Sequence, residues 1–190
     1  MKWIIRVNTR NKTITKEAVT KEQERLGGRL FIANLLNREV PPTCEPTGRY
    51  NKFIIALGLL ADTNITTVGQ LSIGGKSPLT GGVKESNVGG SVGKKLTSMG
   101  IKAIVIEDTP LKPTCYVLVI RADQSELVEI SELQGKLVEE SVQIIRGKFG
   151  QKVGIVCNGP AGEMMMYGAG VACTDHTDLQ TRYAGVCVKF

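Results

Sequence analysis

Histidine is almost missing from this chain. His176 is the single one, tryptophan also occurs once, and aromatic residues make up only 5% of the 190 residues. A histidine-rich metal centre is therefore excluded, and so is the aromatic stacking surface that single-stranded nucleic acids use. The net charge of +6 favours an anionic partner, but no run of five like charges occurs. The cationic surplus thus reads as a solvated surface with room for a local phosphate site, and no nucleic-acid partner is expected. Five cysteines, Cys44, Cys115, Cys157, Cys173 and Cys187, are widely spaced and form no C-x-x-C pair. That argues against zinc or an iron–sulfur cluster held by this chain, and for thiols that fill core space in a reducing, cytoplasmic compartment. No apolar run reaches membrane-spanning length, and "MKWIIRVNTRNK" is apolar too briefly for a signal peptide, so no membrane association is expected. No pair of carboxylates is spaced for acid–base work. Asp175, His176 and Asp178 read either as metal ligands or as a polar surface loop. By its residues alone the chain looks like a binding module without a catalytic apparatus.

What is present is a large aliphatic content, 42% hydrophobic residues with 22 glycines. "WIIRVNTRNKTITKEAV" reads as a β-hairpin. Thr20 and Gln23 have capping-box spacing, and Leu26, Ile32, Leu35 and Leu36 recur at helical intervals, with Gly27-Gly28 restarting the helix. "PPTCEPTGRYN" is a loop, and "KFIIALGLLA" is a buried strand entering a glycine turn. The order then recurs. "CYVLVIRADQSELVEISEL" is a hairpin, "GKLVEESVQIIRGKFG" is a helix with Val138, Val142, Ile144 and Ile145 inward and Gly150 as its cap, and "QKVGIVCNGPAGE" is a strand ending at a glycine turn. Gly58 and Gly159 fall at matching places. The fold class expected is α+β, an internal duplication of two hairpin–helix–strand halves, residues 1–100 and 114–190, about a pseudo-twofold axis within one domain, 1–190. The same order also arises by chance in α+β chains. Met164 to Met166 read as pocket lining or, preferably, as core.

After each strand comes an irregular polar segment. In the first half it is "GKSPLTGGVKESNVGG", with five glycines between Gly75 and Gly90. It is not a phosphate loop of the G-x-x-x-x-G-K-[ST] type, because Gln70 stands where the first glycine belongs, and Val88 fails the same test for "GSVGKK". The segment reads either as successive tight turns or as bare backbone next to a helix starting near Gly90, a generic anion site.

Taken in order, "RVN", "GGRLFIANLL", "NKFIIALGLL", "KSPLTGG", "SNVGGSVGKKLTSMGIKAIVIE", "GPAGE" and "RYAG" resemble the N-terminal domain of the tungsten-containing aldehyde:ferredoxin oxidoreductases, from Trp3 to Gly185. The resemblance implies a duplicated domain that forms the base for a bis-pterin cofactor carrying tungsten (or molybdenum). It implies a magnesium ion on the cofactor phosphates, held by the main-chain carbonyls of Asn87 and Tyr183. It also implies cofactor contacts from Gln70, Lys76, Asn87, Gly89, Gly90, Arg182, Tyr183 and Gly185, with Lys76 and Arg182 offsetting phosphate charge. No catalytic residue is implied.

The chain departs from the family at three points. Gln70 stands where an arginine is usual, "RYAG" gives way to "VCVKF", and the helical domains that carry the [4Fe–4S] cysteines and the acid–base groups do not appear in the sequence. The expected function is the pterin-binding part of an enzyme oxidising aldehydes to acids with electrons passed to ferredoxin. The missing parts would come from a second polypeptide. The alternatives are a stand-alone, non-catalytic pterin-binding module and an inert truncated remnant.

Overall fold

The computed structural model describes residues 2–66, 68–174 and the backbone of 181–184. The chain begins with a hairpin, β1 (Trp3–Asn8) and β2 (Thr13–Ala18). A single helical turn, α1 (Lys21–Glu24), follows. It is capped as its sequence predicts: Gln23 N–H donates to the Thr20 hydroxyl and Thr20 N–H to the Gln23 side chain. The chain then restarts at the glycine pair as α2 (Gly28–Glu39). Phe31, Ile32, Leu35 and Leu36 of this helix are buried, which is the amphipathic face expected, with Phe31 added to it. After the 41–51 loop come β3 (Lys52–Leu57), β4 (Leu71–Lys76), β5 (Val83–Val88), α3 (Val92–Ser98) and β6 (Ile101–Glu107).

These strands form one sheet of six in the order β2-β1-β6-β3-β4-β5. Only β1 and β6 run parallel; every other neighbour is antiparallel. One face packs under α2 through Ile4, Ile54, Ala56, Ala103 and Val105. The other holds the larger core, where Ile73, Val88, Val92 and Leu96 meet Val171 and Cys173 from the second half of the chain. Alternation along β3 and β6 sends successive side chains to these two cores. The glycine-rich stretch is thus more regular than its composition suggests. It supplies part of β4 and all of β5, and its turn is closed by hydrogen bonds from Ser77 N–H to the Gly82 carbonyl and from Gly81 N–H to the Ser77 carbonyl, both 2.8 Å.

The second half again opens with a hairpin, a helix and a strand. A hairpin, β7 (Tyr116–Ile120) and β8 (Ser125–Glu129), precedes α4 (Val138–Phe149), β9 (Val156–Asn158), a short α5 (Pro160–Glu163), β10 (Val171–Thr174) and β11 (Thr181–Ala184). Val142 and Ile145 of α4 are buried with Val138 and Ile144 beside them, and Gly150 caps the helix at φ +102°. Here the hairpin stays a separate two-stranded sheet, and β11-β10-β9 form a three-stranded one. The first half differs because β6 returns to pair with β1 and so fuses its hairpin into the larger sheet.

The methionine run departs from expectation. Met164, Met165 and Met166 are 45–67% exposed rather than packed in the core. The part-buried Cys115 and Cys157 and the buried Cys173 do pack inside, and burial pushes the Cys157 thiol up to about 12. Cys187 lies outside the described residues.

One lysine is out of place in this architecture. Trp3 pairs with Ile101 and Ile4 with Ala103, which leaves Lys102 as the extra residue of a bulge. It is only 2% exposed. Burial, and then repulsion from Lys2, lower its pKa, while Asp62 and Glu24 pull the other way. The folded state therefore holds this proton less tightly than the unfolded chain does. Stability is diminished below the folded pKa and recovers as pH rises towards the unfolded value. Lys102→Met is expected to raise the melting midpoint by about 3 °C at neutral pH, read by thermal unfolding, with the gain shrinking at alkaline pH.

Candidate functional site

The residues singled out in the sequence fall mostly at one edge of the molecule. β5 is the outer strand of the six-stranded sheet and β11 the outer strand of the three-stranded one. They come from different halves of the chain and lie against each other, yet belong to separate sheets. An outer strand leaves alternate N–H and C=O groups unused by its own ladder. Two such strands side by side bring main-chain groups from both halves to one edge.

Asn87 lies on β5 opposite Ser72, and its side-chain oxygen accepts from the Ser72 hydroxyl at 2.7 Å. Arg182 and Tyr183 lie on β11 opposite Cys173 and Ala172. Gln70 precedes β4, is exposed, and stands one residue beyond the Leu71–Val88 pair, as Gly89 does on the other strand. Gln70, Asn87 and Gly89 are thus gathered at one end of the β4–β5 hairpin, the end that leads into α3.

Lys76 is not brought to this group. It pairs with Val83 at the opposite end of β4, about 13 Å along the strand from Ser72. Its ammonium donates to the Pro42 and Cys44 carbonyls, at 2.6 Å for Cys44, and so pins the 41–51 loop. The sequence gives no sign that a lysine so far downstream would serve the carbonyls of that loop. Gly185 and the Asp175–His176–Asp178 cluster lie outside the described residues. Among the described residues, no group of three or more His, Cys, Asp or Glu is placed to hold a metal ion.

Gly90 joins the halves. It has φ +124°, and a Cβ there would stand 2.7 Å from the Thr174 carbonyl oxygen and 3.2 Å from Cys173 Sγ. Its bare side faces β10 rather than open solvent. The next residue completes the seam, because Ser91 N–H and the Ser91 hydroxyl both donate to the Thr174 carbonyl, at 3.2 and 3.3 Å. That hydroxyl does not cap α3. Thr174 itself accepts at its hydroxyl from Ile155 N–H at 2.9 Å. Ser72, Ser91 and Thr174 were not foreseen. Their only signal is that each is a small hydroxyl residue, too common a feature to single them out.

A cleft of about 230 Å³ lies elsewhere, between β2, the start of β6 and the β7–β8 turn, lined by Ile14, Lys16, Met99, Ile120, Arg121 and Asp123 among others. It contains none of the residues singled out above. Among the described residues, no helix is long and apolar enough to cross a membrane.

Residues 4–187 match the family described as "Aldehyde ferredoxin oxidoreductase, N-terminal domain". The tungsten-containing aldehyde ferredoxin oxidoreductase of Pyrococcus furiosus is 37% identical over 90% of this chain and 29% of its own length. That of Thermococcus kodakarensis is 35% identical over 90% of this chain and 29% of its own. The solved active site complex BamBC of benzoyl coenzyme A reductase, in complex with 1,5-dienoyl-CoA, superposes with a TM-score of 0.85 at 26% identity, over 96% of this chain and 27% of that one. The chain spans less than a third of the length of each of these relatives. With a family match over nearly all its residues and curated relatives above 30% identity, the chain belongs to the aldehyde ferredoxin oxidoreductase N-terminal domain family.

Proposed function

We propose that this chain is the cofactor base of an aldehyde:ferredoxin oxidoreductase-like enzyme, with a tungsten- or molybdenum-bearing bis-pterin lying along the β5–β11 edge. The observation that carries the reading is the meeting of these two outer strands from the two halves of the chain. Their unused carbonyls suit a hard cation, and a magnesium ion on cofactor phosphates accepts such ligands. Asn87 on β5 and Tyr183 on β11 are the two main-chain positions, one from each half. Arg182 supplies a two-pronged donor for phosphate. Gly89 lets the backbone approach a flat ring, and Gln70 stands beside it at the same end of the hairpin. Lys76 has no part in this arrangement, since its charge is held at the far end of the hairpin. When bound, the cofactor supplies the two-electron chemistry that takes an aldehyde to an acid. This chain binds and orients it, and the iron–sulfur cluster, the acid–base groups and the contact with ferredoxin come from polypeptide outside the 190 residues.

The recurrence of hairpin, helix and three antiparallel strands, β1–β2, α2, β3–β4–β5 and then β7–β8, α4, β9–β10–β11, supports a duplicated origin for the two halves. A glycine follows the first of the three strands in each set, Gly58 after β3 and Gly159 after β9. A paired ligand is what a doubled site of this kind fits.

The test is elemental analysis of the native complex for tungsten, molybdenum, iron, magnesium and phosphorus, with mass identification of co-purifying chains. Tungsten or molybdenum with two phosphorus atoms per metal supports the reading, and their absence from the complex removes it. Two variants address the site itself. Arg182→Ala is expected to lower cofactor retention about tenfold through loss of a charge-assisted hydrogen bond, and Gln70→Arg is expected to raise it. Equal retention by wild type and Arg182→Ala counts against Arg182.

A further inference from the structure

The feature that the cofactor edge does not use is the methionine run. Met164, Met165, Met166 and Tyr167 are 67%, 45%, 50% and 52% exposed, four consecutive large apolar residues facing solvent. Leu137 is 59% exposed, and the turn before it is tied to the same region, because Gly135 N–H donates to the Glu163 carboxylate at 2.8 Å. Scattered exposed apolar residues are ordinary, but a contiguous patch marks a contact surface. Methionine suits one, since its flexible thioether packs against irregular partners. The backbone holds the run in place: Met164 N–H donates to the Pro160 carbonyl and Met166 N–H to the Ala161 carbonyl, both at 2.9 Å. The exposure is therefore built into the turn that closes α5.

The strand register indicates what covers it. Val171, four residues after Tyr167, pairs with Ala184, the last residue of β11. The backbone leaving β11 therefore emerges at the end of the sheet that carries the methionine run. The family match ends at residue 187, and more than two thirds of each longer relative lies outside the region that matches.

We infer that the Met164–Tyr167 run, with Leu137, is the docking face for the polypeptide that follows this domain in the full-length members of the family. The inference rests on family membership and strand register, and stands or falls apart from the cofactor reading.

The experiment co-expresses the 190-residue chain with a tagged segment of the Pyrococcus furiosus enzyme, the part that follows its matched region. Co-purification is measured for the wild type, for Met164→Glu/Met166→Glu and for Leu111→Glu, an exposed apolar residue outside the patch. The expected result is capture of the wild type and of Leu111→Glu, with about tenfold less of the double variant. Thermal unfolding of the free chains checks that the double variant folds. Amide hydrogen exchange on the wild-type complex gives a second reading, with protection expected over residues 160–170. No capture of the wild type, equal capture of the double variant, or no added protection overturns the inference. Self-association of the wild type that the double variant abolishes also overturns it, by making a second copy the occupant.

Discussion

Gly93→Ala is expected to melt about 10 °C below the wild type. The cause is a single close approach. Gly93 lies in the first turn of α3, and the Gly69 carbonyl rests against its bare Cα. A Cβ would stand 2.1 Å from that oxygen and 3.0 Å from the carbonyl carbon. Neither side has room to give. Val92 and Leu96 on either side of Gly93 are buried in the larger core, and the segment from Gly69 runs directly into Leu71, which is 1% exposed. Both obstructing atoms are backbone, so no rotamer change relieves the contact. The cost is about 3 kcal/mol. Gly147→Ala provides the control. It lies inside α4 with nothing within 4 Å of the added methyl, and is expected to stabilise the chain by about 0.8 kcal/mol through helix propensity. Thermal unfolding followed by circular dichroism reads both variants. An unchanged midpoint for Gly93→Ala would show that the 68–70 segment yields freely.

Gly90→Ala is expected to cost nearly as much and to act on the site as well. The residue combines φ +124°, which a side chain rarely adopts, with the 2.7 Å approach to the Thr174 oxygen. Strain and crowding together amount to about 3 kcal/mol. The chain relieves them by moving β10 away from the end of β5, which lengthens the two hydrogen bonds from Ser91 to Thr174. Since β11 pairs with β10, it moves too, and the β5–β11 edge opens. Magnesium and cofactor retention by Gly90→Ala should fall along with its stability. Loss of stability with full retention would separate the seam from the site and overturn the role given to the β5–β11 edge.

Much of the fold was legible because its signals are local. The Thr20–Gln23 capping box, the helical spacing of Ile32, Leu35 and Leu36, the Gly150 cap and the two hairpins each depend on residues a few positions apart. The family could be recognised for a related reason: its motifs are short runs read a few residues at a time. The glycine stretch was harder to read. Its glycines fit either tight turns or room for a ligand; in the structure Gly90 faces β10, and the rest of the stretch forms a turn and two hairpin arms. Composition reports that a Cβ is missing and does not report which atom occupies the space.

By itself, then, the sequence determined the two hairpins, the main helices and the family, because backbone preference and apolar periodicity act over a few residues. The tertiary structure alone decided the rest. It brought β6 back to β1, laid β5 beside β11, withdrew Lys76 to the 41–51 loop and left Met164 to Met166 uncovered. Each of these depends on which distant surface arrives to pack against a residue. A methionine at the surface and one in the core carry the same side chain, and only the presence or absence of a neighbour distinguishes them.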